Sequence, residues 1–251
     1  MSTALRPQQL IAQVERYVHD ASGIAARCLS SAKTMTAFRE IYAVSLSADV
    51  VLRNLSSSVL RPRLVAARSI ILRLPMLVGL GQAAVAAAEM RRLVELTLWT
   101  VYFTDHPVEW CNFGEGGFSR DARKPISYAA HRELTHYFEY ARELMDTEPS
   151  GLGAGAVDSM KQLTQKLNSR VHAGELALSV RRIPPYERVS ETALRRFGRL
   201  QRHVFANCCL LLAAYRRHRF DRFNATARSH FDWLIGPTLR RAVRRGEFGL
   251  G

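Results

Sequence analysis

Three neighbouring side chains carry the densest chemistry in this chain: Asn168, Arg170 and His172, in the run Leu167-Asn168-Ser169-Arg170-Val171-His172-Ala173-Gly174. They offer an amide, a guanidinium and an imidazole. Asn168 and His172 are four residues apart, so a helix stacks them on one face, one turn above the other. An amide and an imidazole so placed can hold a phosphate or a ribose hydroxyl between them. Arg170 points elsewhere on a regular helix, but at a frayed C-terminus it can swing in as a phosphate ligand. The plainer alternative is a helix-terminal histidine that caps the last carbonyls.

Other constellations say less. Arg91 and Glu95 are also four apart, on an otherwise apolar helix, and are expected to be buried together. Such a pair can simply clamp a bundle, and it needs good geometry merely to break even. His131 and His136 are five apart and lie on different helix faces, whereas two zinc ligands on one helix sit at i and i+4. No metal site is expected. The run Gly114-Glu115-Gly116-Gly117 has neither the lysine nor the Ser/Thr of a phosphate-binding loop, and no strand precedes it. No serine nucleophile elbow is present, and no cofactor is expected.

The segment around His172 resembles the signature of the HEPN superfamily: an arginine, a polar residue, three variable residues and a histidine. Asn168 and His172 match the polar and histidine positions, while Leu167 stands at the arginine position with Lys166 just before it. Arg91-Arg92-Leu93-Val94-Glu95 resembles the Arg-x-x-x-Glu helix of HEPN-like families, and the Val-His-Ala-Gly ending is similar to theirs. The likeness spans residues 75–220 and rests on these short motifs. It implies a helical bundle, often dimeric, of a kind recurrent in toxin–antitoxin and antiviral (anti-phage) defence systems. Active members cut RNA without a metal, the ribose 2′-hydroxyl attacking its own phosphate. The implied catalytic set is His172 and Asn168, with Arg170, Arg91 and Glu95 as supporting groups. Glu95 would orient His172, or Arg91 would supply the guanidinium absent at position 167, which requires Arg91 and His172 to face each other across the core.

Charge is the second strong signal. The formal net charge is +14, a field that draws polyanions. Only four of the 36 basic residues are lysine, a bias that a GC-rich genome produces, but such a bias does not suppress Asp and Glu. From Ser190 to the end, thirteen arginines face four acids (Glu191, Asp221, Asp232 and Glu247), giving +9 of the total. Aromatic residues are interleaved, from Tyr215 and Phe220 to Phe231 and Trp233. Arginine-rich helices with aromatics suit a phosphate backbone and stacked bases, although a solvated face over core aromatics gives the same pattern. The candidate nucleic-acid ligands are Arg195, Arg199, Arg202, Arg216, Arg217, Arg219, Arg240, Arg241, Arg244 and Arg245.

The elements that must position these groups are all helical, since 3.6-residue periodicity dominates and strand-like alternation is nearly absent. Helices are predicted over residues 8–32, with Leu10, Val14, Tyr17 and Val18 on one face, and over 34–59, with Phe38, Ile41, Leu46, Val50 and Leu55 as its core stripe. A short helix over 63–72 follows, after which Pro75 restarts the chain. Residues 75–104 are apolar on most sides and belong at the centre of a bundle. A loop spans 107–127. Further helices cover 128–146, 156–173 (capped by Gly174), 190–222, 225–234 and 238–245, with a glycine-rich break near 150. The fold expected is an all-α bundle with long central helices and a basic C-terminal extension. It is read as one domain over 1–251, divisible into 1–74, a HEPN-like core over 75–183 and an arginine-rich part over 184–251.

With 47% hydrophobic and 23% charged residues the chain reads as globular. Cys28, Cys111, Cys208 and Cys209 lack metal or disulfide spacing, so they are expected as reduced thiols of a cytoplasmic protein. Residues 1–16 lack the apolar core of a secretory leader. The run 74–88 is too short for a membrane span, and no membrane association is expected. The leading functional expectation is a nucleic-acid-binding subunit, for RNA rather than DNA, acting as a homodimer or within a larger nucleoprotein complex. A metal-independent ribonuclease and a helical scaffold for an acidic partner are the alternatives.

Overall fold

The computed structural model describes residues 31–57, 60–107, 126–146, 152–179 and 190–244, with Gly23 and Ala26; for 126–133, 152, 169–179, 218 and 237–244 it describes the backbone alone. Every regular element among the described residues is a helix: α1 (Ala32–Leu55), α2 (Arg61–Gly79), α3 (Ala83–Asp105), α4 (Ile126–Asp146), α5 (Leu152–Ser179), α6 (Glu191–Tyr215), the single turn α7 (Arg217–Phe220) and α8 (Ala225–Arg244). None is long and apolar enough to cross a membrane. The helix expected over 8–32 and the loop 108–125 lie outside the described residues.

The all-α expectation holds, and several boundaries move. Pro75 does not restart the chain; it sits buried inside α2. A proline there forfeits one backbone hydrogen bond, but Ile71, Leu74 and Val78 around it are buried, and their packing carries the helix through. The stop lies at Gly81, which adopts φ 70°, a left-handed conformation natural to glycine. Gln82 N–H donates to the Leu77 carbonyl at 2.9 Å and Gly81 N–H to that of Val78 at 2.9 Å, the paired bonds of a Schellman ending. At the far end, α5 runs through Gly174 to Ser179, so Gly174 is not its cap. Leu46, assigned to the core stripe of α1, is 39% exposed, and Ala37, Val44, Ala48 and Val51 face the core with Ile41 and Leu55 instead.

The centre of the bundle also differs from expectation. The first turns of α3 reach the surface, with Val85 47% exposed. It is α6 that is buried on every side, from Val204 to Ala213. It packs on α1, α3, α5 and α8, while α1 also meets α2 and α8, and α3 meets α2, α4 and α5. Helices from the N-terminal, middle and C-terminal parts of the chain therefore share one core. Ser190 opens α6, its hydroxyl accepting the Ala193 N–H at 3.1 Å, with Glu191 in the first turn where the helix dipole favours an acid. Cys208 and Cys209 lie in the buried span of α6 as free thiols. Burial pushes the Cys208 thiol up to about 12 and raises that of Cys209 as well.

Polar ties fix the helices against one another. Gln201 of α6 is fully buried and donates to Ser45 Oγ at 2.8 Å and to the Ile41 carbonyl at 3.3 Å. Asp49, 2% exposed, receives Arg53 at 2.7 Å and Arg68 of α2 at 2.6 Å. The α8 end is built around Gly236, whose φ of 79° interrupts the helix. Gly236 thus separates the two helices predicted over 225–234 and 238–245, which form the two halves of α8.

Candidate nucleic-acid interface

The helix bearing Asn168, Arg170 and His172 is α5, and it packs on α3, the helix bearing Arg91 and Glu95. Leu167 is fully buried. The position where the HEPN signature has an arginine therefore faces the hydrophobic core. Asn168 is half-buried, and its Oδ1 is shielded from solvent without a hydrogen-bond partner among the described residues. The side chains of Arg170 and His172 lie outside the described residues, and with them the expected approach of Arg91 to His172. Arg91 Nε donates to Glu95 Oε1 at 3.0 Å, each side chain 15% exposed. This is the largely buried pair expected from the spacing. The side chain of His131 lies outside the described residues, and His136 Nε2 sits 3.4 Å from Tyr102 Oη.

The arginines of the last third gather at two ends of α6. At its start, Arg195, Arg196, Arg199 and His203 are exposed and Arg202 is half-buried. Residues 195, 199 and 202 follow the i, i+4, i+7 spacing of one helix face. Arg195 pairs with Glu191 at 2.8 Å, whereas neither Arg196 nor Arg199 meets a carboxylate among the described residues. Arg202 is committed differently. Its Nε donates to the Leu234 carbonyl at 3.2 Å, its Nη2 donates to the Trp233 carbonyl, and its guanidinium lies 4.5 Å from the centre of the Trp233 ring. Those carbonyls are left without helical partners by the break at Gly236, and the guanidinium satisfies them.

The second cluster lies at the far end of α6, roughly 25 Å along its axis at 1.5 Å per residue. Arg217 and Arg222 are exposed there, while Arg216 and Arg219 are half-buried and each keeps a buried Nε without a hydrogen-bond partner among the described residues. Arg228 donates to the Asp221 carbonyl at 2.8 Å and sits 5.6 Å from the Phe220 ring centre. Arg240, Arg241 and Arg244 fall on the last turns of α8, with side chains outside the described residues, as is the whole of Arg245.

Beside the first cluster, α5, α6 and α8 enclose a groove of about 570 Å³, lined by Gly155, Ala156 and Ser159, by Arg199, Arg202, His203, Ala206, Asn207 and Leu210, and by Leu234 and Ile235. Among the described residues no carboxylate lines it. Asn207 Nδ2 donates to Ser159 Oγ at 3.1 Å and to the His203 carbonyl at 2.8 Å, which ties α5 to α6 along the groove.

No protein-family model, curated protein or solved structure matches the chain.

The sequence pointed to Arg199 and Arg202 but not to Ser159, His203 and Asn207. Their local signal was the Arg199, Arg202, His203 spacing, one face of one helix; the contribution of α5 has no local signature. A second missed constellation sits at the end of α3. Asp105 accepts the Tyr140 hydroxyl at 2.7 Å and the Tyr215 hydroxyl at 2.6 Å, joining α3, α4 and α6. Burial first, then the bond to Asp105, raises both phenols above their usual range. The His106 ring stacks on Tyr102 at 4.2 Å. This is a clasp between helices, with its acceptor at the surface.

Proposed function

We propose that this chain is a nucleic-acid-binding helical protein, directed to RNA, that serves as a subunit of a nucleoprotein assembly. The observation that carries the reading is the first turns of α6: among the described residues, exposed Arg196 and Arg199 have no carboxylate partner and no acid lines the groove beside them. Uncompensated guanidiniums on a rigid helix suit phosphates, which they can bind bidentately. The preference for RNA, and a place in anti-phage defence, come from the HEPN resemblance alone. The test is fluorescence anisotropy with a labelled single-stranded RNA and its DNA counterpart, run with Arg196→Gln/Arg199→Gln alongside. Binding to RNA that the double substitution weakens supports the reading. Unchanged affinity in that variant refutes it.

The same RNA, incubated with a chelator, addresses cleavage. The buried Leu167 argues for binding without cutting, so intact RNA is expected. Chelator-resistant cleavage that His172→Ala abolishes would select the metal-independent ribonuclease instead.

One observation favours the protein-partner reading. On α2, Val65, Leu72 and Met76 are 50%, 41% and 58% exposed and fall within about 40° of one another around the helix, opposite its buried face. Arg61 and Arg73 flank them, Arg73 paired with Glu89 of α3 at 3.3 Å, and α2 itself contains no acid. The positive flank at Arg61 makes an acidic amphipathic helix the occupant that fits. Leu72→Ser/Met76→Ser should abolish binding of a Leu/Glu heptad peptide; equal binding by the variant counts against this surface.

A further inference from the structure

We propose that the groove between α5, α6 and α8 receives one nucleotide unit, its phosphate held by Arg199 and His203 and its base set against Ala156, Ala206, Leu210 and Ile235. The inference rests on the nucleic-acid reading and narrows it to a ligand and a place.

The lining divides by chemistry. Arg199, Arg202 and His203 share one face of α6 at i, i+3 and i+4; the two arginines bring positive charge and His203 a hydrogen-bonding imidazole. The remaining wall, from α5, the inner α6 residues and the end of α8, is mostly apolar. A bare phosphate would satisfy the cations and leave the apolar wall wet. A neutral apolar ligand would cover the wall and desolvate the cations without a partner, which is costly. An anion attached to a flat, largely apolar body satisfies both, and a nucleotide is such a molecule. The volume of about 570 Å³ lies within the range of small-ligand sites and leaves no room for a duplex.

The groove is also held open in advance. Arg202 cannot swing away, because two carbonyls and the Trp233 ring fix it. Its charge is in place before any ligand arrives, which leaves Arg199 and His203 as the cationic-face side chains to be ordered on binding. The Asn207 bond to Ser159 ties α5 to α6, and its bond to the His203 carbonyl holds the amide along α6. A partly exposed Trp233 ring next to the groove, 37% accessible, offers a stacking surface for a neighbouring base of the same strand.

Gly155 supplies the test. It lines the groove on α5, and a Cβ placed there meets nothing within 4 Å. A phenylalanine at that position fits α5 and projects into open space, so it plugs the groove while the core stays as it is. The full chain is titrated calorimetrically with 5′-AMP, adenosine and inorganic phosphate, and by anisotropy with a labelled oligoadenylate. Melting curves confirm that Gly155→Phe is folded. The expected result is that 5′-AMP binds about tenfold or more tightly than adenosine or phosphate, as one lost charge-assisted contact predicts. Gly155→Phe and Arg199→Gln should each weaken 5′-AMP by about tenfold or more, and Arg53→Gln on α1 should leave it unchanged. Adenosine binding as well as 5′-AMP, or 5′-AMP binding unchanged in Gly155→Phe, overturns the proposal. An oligoadenylate that binds normally to Gly155→Phe while 5′-AMP fails to bind the parent overturns the groove and leaves the broader reading standing. An oligoadenylate that never binds the parent removes that reading, and the 5′-AMP titration still decides the groove.

Discussion

Leu167 shows how much a single position governs. It stands where the HEPN signature has an arginine, and it is fully buried. Restoring the motif by Leu167→Arg would bury a guanidinium among Leu163, Thr164 and the apolar core. An unpaired buried charge of this kind costs about 4 kcal/mol or more. Thermal denaturation should therefore show a large loss of stability, with no gain of cleavage. A variant melting with the parent would mean that the position opens to solvent. The Asp105 clasp gives a second expectation. Tyr140 and Tyr215 have folded-state values above the ordinary 10.0, through burial and the shared carboxylate. Above about pH 10 the unfolded chain releases these protons before the folded chain does, so the contribution is complete below that pH and falls as pH rises further. Denaturant midpoints measured from about pH 8 upward should hold and then drop. Tyr140→Phe/Tyr215→Phe should flatten that drop, and an equal drop in the variant would remove the clasp as its cause.

At the scale of elements, periodicity revealed which segments are helical, and the Ser190 cap marked the start of α6 within a residue. What local pattern did not reveal was decided by contacts distant in sequence. Pro75 looked like a helix start because its ring forbids an interior hydrogen bond. The burial of Ile71, Leu74 and Val78 outweighs that loss, a choice made by α1 and α3 packing on α2. The apolar character of 75–104 suggested the central helix, yet α6 takes that place, because its ten-residue span from Val204 to Ala213 is buried throughout, whereas the first turns of α3 reach the surface. Arg202 read as one more phosphate ligand among many. Its tie to carbonyls 31 and 32 residues away follows from the break at Gly236 and from the way α8 returns along α6. The helix start at Leu152 places Gly155 inside α5 rather than in a linker. With open space around its Cβ, Gly155→Ala should stabilise the chain by about 0.5–1 kcal/mol, the usual gain in a helix interior. A chemical denaturation midpoint that falls instead would place Gly155 outside a regular helix.

Across the whole molecule the net charge is +14, and the arginines of α6 and its surroundings form two groups. One arginine group opens α6 and a second surrounds its far end, with the buried Val204–Ala213 span between them. Some guanidiniums serve the fold: Arg202 and Arg228 satisfy carbonyls, and Arg68 holds Asp49. Arg196 and Arg199 have no such task among the described residues. The account's central claim is that these cations contact phosphates, and the most direct measurement is the salt dependence of RNA affinity. Each phosphate contact on a single strand contributes about −0.7 to the slope of log K against log salt. The parent chain should show a steep negative slope, and Arg196→Gln/Arg199→Gln should make it shallower by about 1.4. A slope near zero in the parent, or the same slope in the double variant, would contradict the account.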